Sequence, residues 1–180
     1  MNYPIWKWIE ENFVLITGVA ASIKWIWEYS ESRKFEKNKF LLERIERFSE
    51  KSAIQTVQRL LDWNRISIEV NGETQVIDDA FLITALLTHD VKNQFTLTEV
   101  HIRQIFDDYF TGISELTMLA KTGLVDSTNL KKFMRYWIDI LNGSNLNKPK
   151  EFSETIKLYL AFYGYADVLD FIKKPAKPVF

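Results

Sequence analysis

Residues 96–123 read TLTEVHIRQIFDDYFTGISELTMLAKTG and contain the start, the apolar face and the end of one long helix. Thr96 and Glu99 have the spacing of a capping box, in which each side chain accepts a hydrogen bond from the backbone N–H of the other. Apolar residues then recur at helical spacing as far as Gly123, a residue typical of helix ends. The predicted buried face consists of Ile102, Ile105, Phe106, Tyr109, Ile113, Leu116 and Ala120. The segment therefore predicts a mainly helical domain.

Shorter helices are predicted on both sides of this segment. Residues 52–63 have one apolar face, and Asp78 is placed to cap a helix that runs to about His89. Downstream, one helix lies between Asp126 and Gly143, and another opens at Pro149. The expected inward residues of these helices include Ile54, Val57, Leu60, Leu61, Leu130, Phe133, Met134, Trp137, Ile138, Leu141, Phe152, Ile156, Tyr159, Leu160 and Tyr163.

Residues 65–77 are the strand-like part of the chain. Ile66, Ile68 and Val70 alternate with polar residues, and Asn71-Gly72 is a strong signal for a two-residue hairpin turn. A lone hairpin is marginally stable in water, so this one is expected to pack against helices. The predicted fold class is thus a helical domain with one β-hairpin.

The N-terminal residues have the pattern of a membrane helix. Trp6 and Trp8 precede an apolar run at 13–23, and Trp25 and Trp27 follow it. On a helix, Trp8 to Trp25 spans about 25 Å and Trp6 to Trp27 about 31 Å, close to the hydrocarbon thickness of a bilayer. Indole rings favour the headgroup level at both ends of such a helix. These four tryptophans are predicted to contact membrane lipid.

Two other interpretations of this segment remain open. The uninterrupted apolar run is only about a dozen residues long, which also suits a soluble core helix or the centre of a signal peptide. Glu10, Glu11 and Lys24 reduce its apolar length further. The paired tryptophans nevertheless favour an anchor, because neither a core helix nor a signal peptide requires an aromatic belt.

The distribution of charge predicts the orientation and the organisation of the chain. Basic residues that include Arg33 and Lys34 follow the anchor, so the N-terminus is expected outside the membrane and the rest in the cytoplasm. The absence of cysteine agrees with a cytosolic body. The predicted parts are an anchor at 1–28, a charged juxtamembrane helix at 29–51, a helical domain at 52–174 and a flexible tail at 175–180.

The charged helix has an apolar stripe formed by Leu41, Ile45 and Phe48. A stripe of this kind packs either on the helical domain of the same chain or on another copy in an oligomer. Small residues in the anchor, from Gly18 to Ser22, also favour association between helices. A homo-oligomer is therefore predicted.

Signatures of catalysis are weak in this sequence. His89 and His101 form no metal-ligand motif, although His101 and Asp108 share a helix face on which a metal site is conceivable. Acidic pairs such as Asp78-Asp79 are better explained by helix capping and solvated surfaces. No glycine-rich phosphate loop and no GxSxG motif is present. A non-catalytic protein without metal or cofactor is predicted, and the net charge of -1 gives no reason to expect general nucleic-acid binding.

Two short segments are candidates for binding a ligand or a partner. Asp62, Trp63 and Arg65 combine a charge pair with an indole at the junction between a helix and the hairpin. Arg135 and Tyr136 lie in the helix that ends at Gly143, where aromatic rings either fill the core or form a stacking surface. Core packing is favoured for the aromatic residues with helical spacing.

The strings LLDWNRISIEV, HIRQIFDDYFTGISELTMLAKTGLV and LKKFMRYWIDIL resemble a family of uncharacterised bacterial helical domains that often follow one membrane segment. The shared features are an Asp-Trp junction with Arg, an Asp-x-Tyr-Phe helix, a Gly-Leu-Val turn and an Arg-Tyr-Trp helix. The resemblance covers residues 55–165, implies a bacterial origin and brings no catalytic residues. The layout is also similar to that of membrane effectors of bacterial antiviral signalling that respond to cyclic nucleotides.

The function expected from these features is that of a membrane-anchored, non-catalytic sensor, adaptor or effector. Its cytosolic domain would bind a protein or a small ligand. The alternative is a soluble structural subunit whose first helix packs on a partner.

Overall fold

The structure, a computed structural model, describes the backbone of residues 5–173 and the side chains of residue 22 and residues 24–173. The elements in that part of the chain are α1 (Ile5–Glu50), α2 (Ser52–Asp62), β1 (Arg65–Val70), β2 (Glu73–Asp78), α3 (Asp79–Ala85), α4 (Leu97–Lys121), α5 (Ser127–Asn142), α6 (Lys150–Phe162) and α7 (Ala166–Lys173). The fold is mainly helical with one hairpin, which confirms the predicted class at this level.

The chain divides into two compact units, residues 1–39 and residues 40–180. The helix α1 contributes to both, because the division falls within it. Over the described residues, no helix combines the length and the apolar content that crossing a membrane requires. The predicted tail at 175–180 and the side chains of Trp6 and Trp8 lie outside the described residues.

The core of the second unit surrounds α4, which packs against α2, α3, α5 and α7. The capping box forms as predicted, with both the Thr96 and the Glu99 side chains bonded to backbone N–H groups. The predicted inward face of α4 is buried from Ile102 to Leu116, and only Ala120 is half-buried. Local sequence signals therefore suffice to define the central helix of the domain.

The stripe on the last turns of α1 packs within the second unit. Leu41 and Phe48 are buried, and the Phe48 ring lies 5.6 Å from that of Tyr109 on α4. Gly112 permits this approach, because a Cβ at that position would lie 2.5 Å from a Phe48 ring carbon. Of the two interpretations of the stripe, packing on the same chain agrees with these contacts.

The hairpin also forms where the sequence predicts it. Strands β1 and β2 pair antiparallel with Arg65 opposite Asp78 and Val70 opposite Glu73. Asn71 has φ 52° and Gly72 has φ 82°, the left-handed conformations that a tight two-residue turn requires. The hairpin packs against helices, as expected for a two-stranded sheet, with contacts from β1 to α2 and from β2 to α3.

Two expectations about the helices are wrong. The helix capped by Asp78 ends at Ala85 and does not reach His89, because the backbone carbonyl of Ala85 accepts a hydrogen bond from Arg103 of α4. Phe133 is 51% exposed although it belongs to the predicted inward stripe of α5. Ile140, which lies on a similar side of the helix two turns later, is buried instead, so neighbouring elements cover this side of α5 only toward its end.

Candidate functional site

The junction between α2 and the hairpin brings together residues that are far apart in sequence. The Tyr136 hydroxyl on α5 donates a hydrogen bond to an Asp62 carboxylate oxygen at 2.5 Å. The side-chain amide of Asn147 donates to the same hydroxyl at 3.4 Å. Two of the predicted candidates, Asp62 and Tyr136, therefore form a direct contact between the end of α2 and the outer face of α5.

The next residue, Trp63, presents its side chain to solvent and is 65% exposed. Its backbone carbonyl accepts a hydrogen bond from Lys148 Nζ at 2.8 Å. The same ammonium forms an ion pair with Asp79 at the start of α3. Such partners offset the loss of hydration of a buried ammonium, and through them Lys148 ties the Trp63 backbone to the start of α3 and to the loop before α6.

Lys148 reaches this position because it lies just before α6, which begins after the N-cap residue Pro149. Lys148 is only 6% exposed, although the sequence indicates no more than a polar loop at this place. Lys148 is the functional-site residue that sequence reasoning missed. The single available signal was its place directly before a proline that opens a helix, and that signal does not predict burial.

The remaining two candidates of this set lie apart from the Asp62–Tyr136 contact. Arg135 is exposed and its Nε lies 3.7 Å from an Asp139 carboxylate oxygen one turn along the same helix. Arg65 is exposed at the first position of β1, opposite Asp78 in the register. We define the junction surface as Asp62, Trp63 and Tyr136 with their supports Asn147 and Lys148.

The electrostatics of the junction keep the Tyr136 hydroxyl protonated. Its hydrogen bond to Asp62 raises the pKa of Tyr136, since ionisation would place two negative charges side by side. At neutral pH the Tyr136 hydroxyl therefore donates its hydrogen bond to the Asp62 carboxylate. The junction surface offers an indole face, a phenol ring and a carboxylate, groups that recognise a ligand by stacking and hydrogen bonding.

A second polar cluster, centred on Arg103, lies at the other end of α3. The Arg103 guanidinium donates to the backbone carbonyls of Ala85 at 2.8 Å and Leu87 at 2.7 Å. It also donates to the Tyr163 hydroxyl at 2.5 Å, and its Cζ lies 4.2 Å from the Phe95 ring centroid. These contacts bind the end of α3 to α4 and to the end of α6 and leave the cation buried.

Asp107 lies one turn beyond Arg103 on α4 and accepts a hydrogen bond from the Tyr159 hydroxyl at 2.8 Å. Burial raises the pKa of Asp107, and the hydrogen bond from Tyr159 and the charge of Arg103 oppose this shift without cancelling it. The same burial, with the carboxylate as neighbour, raises the pKa of Tyr159. Tyr159 is buried and belongs to the core, in agreement with the prediction for aromatic residues of helical spacing.

The two histidines lie at different places. His89 is exposed and its ring meets Phe95 edge to face at 5.2 Å. His101 is half-buried on α4, and Asp108 is exposed two turns further along. Over the described side chains, no three carboxylate or imidazole groups converge as a metal site would require.

The first unit contains the predicted membrane-interface residues. The side chains of Trp25 and Trp27 are exposed, and the Trp25 ring stacks on Tyr29 at 5.7 Å. Arg33 lies over the same Tyr29 ring at 5.0 Å, and Lys34 pairs with Glu31 at 3.3 Å. The part of α1 from Trp25 to Lys34 thus combines exposed indoles with basic side chains.

The chain matches no known family model, no curated protein and no solved structure. What its surfaces do is therefore argued from their own geometry.

Proposed function

We propose that this chain is a non-catalytic sensor, adaptor or effector whose helical domain binds a protein or a small ligand through the junction surface. The observation that carries the proposal is an exposed Trp63 whose backbone is fixed by the buried Lys148. Exposed indoles on fixed backbone are typical binding anchors, because they bury a large area with little loss of conformational freedom.

A membrane anchor at residues 1–28 is the second part of the proposal. The spacing of the tryptophan pairs 6/8 and 25/27 supports it, as do the basic residues Arg33 and Lys34 beyond the second pair. The exposed indoles of Trp25 and Trp27 are free to contact membrane lipid. The proposed location is the bacterial inner membrane, with the N-terminus outside and the helical domain in the cytoplasm.

Signal transmission along α1 would join the two parts. The helix is continuous from Ile5 to Glu50, and its last turns contribute Leu41 and Phe48 to the core of the second unit. Ligand binding that shifts this packing would bias α1 and, through small residues such as Gly18, the association of copies in a homo-oligomer. Bacterial defence signalling is the setting that we propose, on the basis of the sequence resemblance to bacterial helical domains and of a layout similar to that of membrane effectors of antiviral signalling.

The alternative is a soluble structural subunit whose first helix packs on a protein partner. The exposed side chains of Trp25, Ile26 and Trp27 favour it as a specific observation, because protein partners around the helix would cover them as well as lipid would. The two functions differ in how the chain behaves when membranes are washed: an anchored chain stays in the membrane pellet, and a soluble subunit is released.

Cell fractionation tests the anchor. Membranes from cells that produce the chain are washed with high salt and then with alkaline carbonate. Retention in the alkaline pellet, reduced in a Trp25→Ala/Trp27→Ala variant and unchanged in a Trp63→Ala control, is the expected result. Release of the parent chain into the supernatant would overturn the anchor and favour the soluble subunit.

Quantitative co-purification tests the junction surface. The tagged chain and a Trp63→Ala/Tyr136→Ala variant are purified from the native host, and bound proteins and released small molecules are measured by mass spectrometry. At least one species should be lost from the variant and retained by a Phe133→Ala control, which removes an exposed ring outside the junction. An unchanged set of bound species in the double variant would contradict the proposal.

A further inference from the structure

A groove of about 520 Å³ opens in the second unit between the last turns of α1 and the second half of α4. Its volume lies within the usual range for ligand sites. A binding site in this groove would be separate from the proposed function, because the groove is lined by no residue of the junction surface. The groove has a charged rim and an apolar floor, so a ligand that fits it has a charged side and an apolar side.

The rim on the α1 side is basic. Arg44, Arg47 and Lys51 line it, and all three are exposed. At 3.6 residues per turn, Arg44 and Arg47 fall within about 60° of each other around the axis of α1, and Lys51 follows directly after its last residue, Glu50. Three glutamates of the same segment, Glu43, Glu46 and Glu50, are not among the residues that line the groove. The positive charge of this segment is therefore concentrated on the groove.

The floor and the far wall are largely apolar. Phe48 and Leu116 are buried beneath the groove, and Met118 projects beside them with 66% of its surface exposed. Glu115 lies among the lining residues on α4 as an acidic group. Methionine adapts its shape to different apolar partners, which makes an exposed Met in a groove typical of a peptide-binding surface.

We propose that this groove binds an acidic amphipathic helix of a partner protein. From Arg44 on α1 to Lys51 just after its end, the three cations span about 10 Å, which corresponds to two turns of a docked helix. They follow one another along the helix direction at about 4.5 and 6 Å, so the arrangement suits a row of carboxylates better than a single phosphate. The apolar side of the partner helix lies on Leu116 and Met118, and its acidic side faces Arg44, Arg47 and Lys51.

The test uses the 180-residue chain and a fluorescein-labelled helical peptide of Leu and Glu, with a Leu and Lys peptide of the same pattern as control. Fluorescence anisotropy should show saturable binding of the acidic peptide alone. Reversal of the rim in Arg44→Glu/Arg47→Glu/Lys51→Glu should raise the Kd at least about tenfold, since three exposed charge contacts are lost or reversed. A rise in salt from about 50 mM to about 300 mM should also raise the Kd of the parent chain for the acidic peptide.

A second reversal, Lys132→Glu/Lys150→Glu/Lys173→Glu, changes the net charge equally at exposed positions outside the groove and should leave the Kd within about twofold. Met118→Asp should weaken binding as well, whereas Leu146→Asp, at a 96% exposed loop position, should not. All of these side chains are exposed, and circular dichroism checks that each variant is folded.

Four results would overturn the proposal. They are absence of saturable peptide binding, equal weakening by the control reversal, binding that is restricted to anionic phosphatidylglycerol vesicles, and rim-dependent dimerisation of the chain in light scattering without peptide binding. The third would assign the groove to lipid and the fourth to a second copy.

Discussion

Two buried cations, Arg103 and Lys148, occupy comparable positions at the two ends of α3 but differ in what surrounds them. Arg103 donates to two backbone carbonyls and a tyrosine, and rings of Phe95, Tyr159 and Tyr163 lie around its guanidinium. Lys148 is equally buried, yet one of its acceptors is the carbonyl of an exposed tryptophan. The first cluster is enclosed by the fold, and the second supports a surface.

From this difference we expect stability and the proposed binding to depend on different places in the domain. Groups around Arg103 satisfy one another within the fold, so a change there is expected to alter folding. At the junction, the Trp63 indole contributes little to the core, so a change there is expected to alter binding. Variants around Arg103 should therefore lower the free energy of unfolding, whereas variants of the Trp63 side chain should lower partner binding and leave stability nearly unchanged.

The largest effect is expected for Arg103→Met. It leaves the carbonyls of Ala85 and Leu87 without their donor and removes the guanidinium from its ring contacts. Loss of a buried cation that satisfies several acceptors costs roughly 3 to 5 kcal/mol. Urea unfolding measures this, with Arg59→Met on the exposed face of α2 as the control. A loss below about 1 kcal/mol would mean that the cluster does not hold α3 in place.

Lys148→Met is expected to have an intermediate effect. The Trp63 carbonyl and the Asp79 carboxylate lose a donor, but Asp79 is partly exposed and water replaces some of the contact. The free energy of unfolding should fall by about 2 kcal/mol. Partner binding should fall with it, because Trp63 loses its fixed backbone. Retained binding in a folded Lys148→Met protein would contradict the positioning role of the lysine.

A pH-dependent effect is expected for Glu99→Gln. Burial of the Glu99 carboxylate opposes its ionisation, but hydrogen bonds from Lys92 and from the Thr96 backbone outweigh it, so its pKa is lowered. A lowered pKa stabilises the folded state above the unfolded pKa, and that contribution is lost as the pH falls through the folded value. The variant should be less stable by about 1 kcal/mol at pH 7, and the difference should vanish in acid.

Thermal unfolding between neutral pH and pH 3 measures this difference. Glu69→Gln, at an exposed position of β1, serves as the control and should leave the pH profile of the parent unchanged. A Glu99→Gln protein that keeps the same slope against pH as the parent would show that the Lys92 contact adds no stability.

The smallest effect on stability is expected for Trp63→Ala. The side chain is 65% exposed, so its removal should change the free energy of unfolding by less than about 0.5 kcal/mol. Partner binding should nevertheless fall strongly, because truncation of a central aromatic anchor commonly costs 2 kcal/mol or more, or about thirtyfold in Kd. A large loss of stability with unchanged binding would assign Trp63 to the core.

The fold follows from the sequence wherever the deciding signal is local. The capping box at Thr96 and Glu99, the turn at Asn71 and Gly72 and the inward face of α4 depend on residues within a few positions of one another. Periodicity gives the phase of α5 as well, but it does not say which part of a helix its neighbours cover. Phe133 was therefore predicted to be buried and is exposed.

The candidate site could be predicted only in part for a related reason. Asp62, Trp63 and Tyr136 were recognised as unusual polar and aromatic residues, but their contact joins positions 74 residues apart. Arg103 meets Tyr163 across 60 residues, and Lys148 meets Trp63 across 85. In a single sequence these two cations are indistinguishable from solvated surface charges, because burial of a charge is decided by partners that only the fold assembles.

Photo-crosslinking at the junction tests the central claim most directly. A benzoylphenylalanine in place of Asn64, beside Trp63, reports what contacts this surface in the cell, and the same probe in place of Leu146 is the matched exposed control. The account predicts a discrete adduct from position 64, lost when Trp63→Ala is introduced and absent from position 146. No adduct at position 64, or the same adducts from both positions, would show that the junction is not a binding surface.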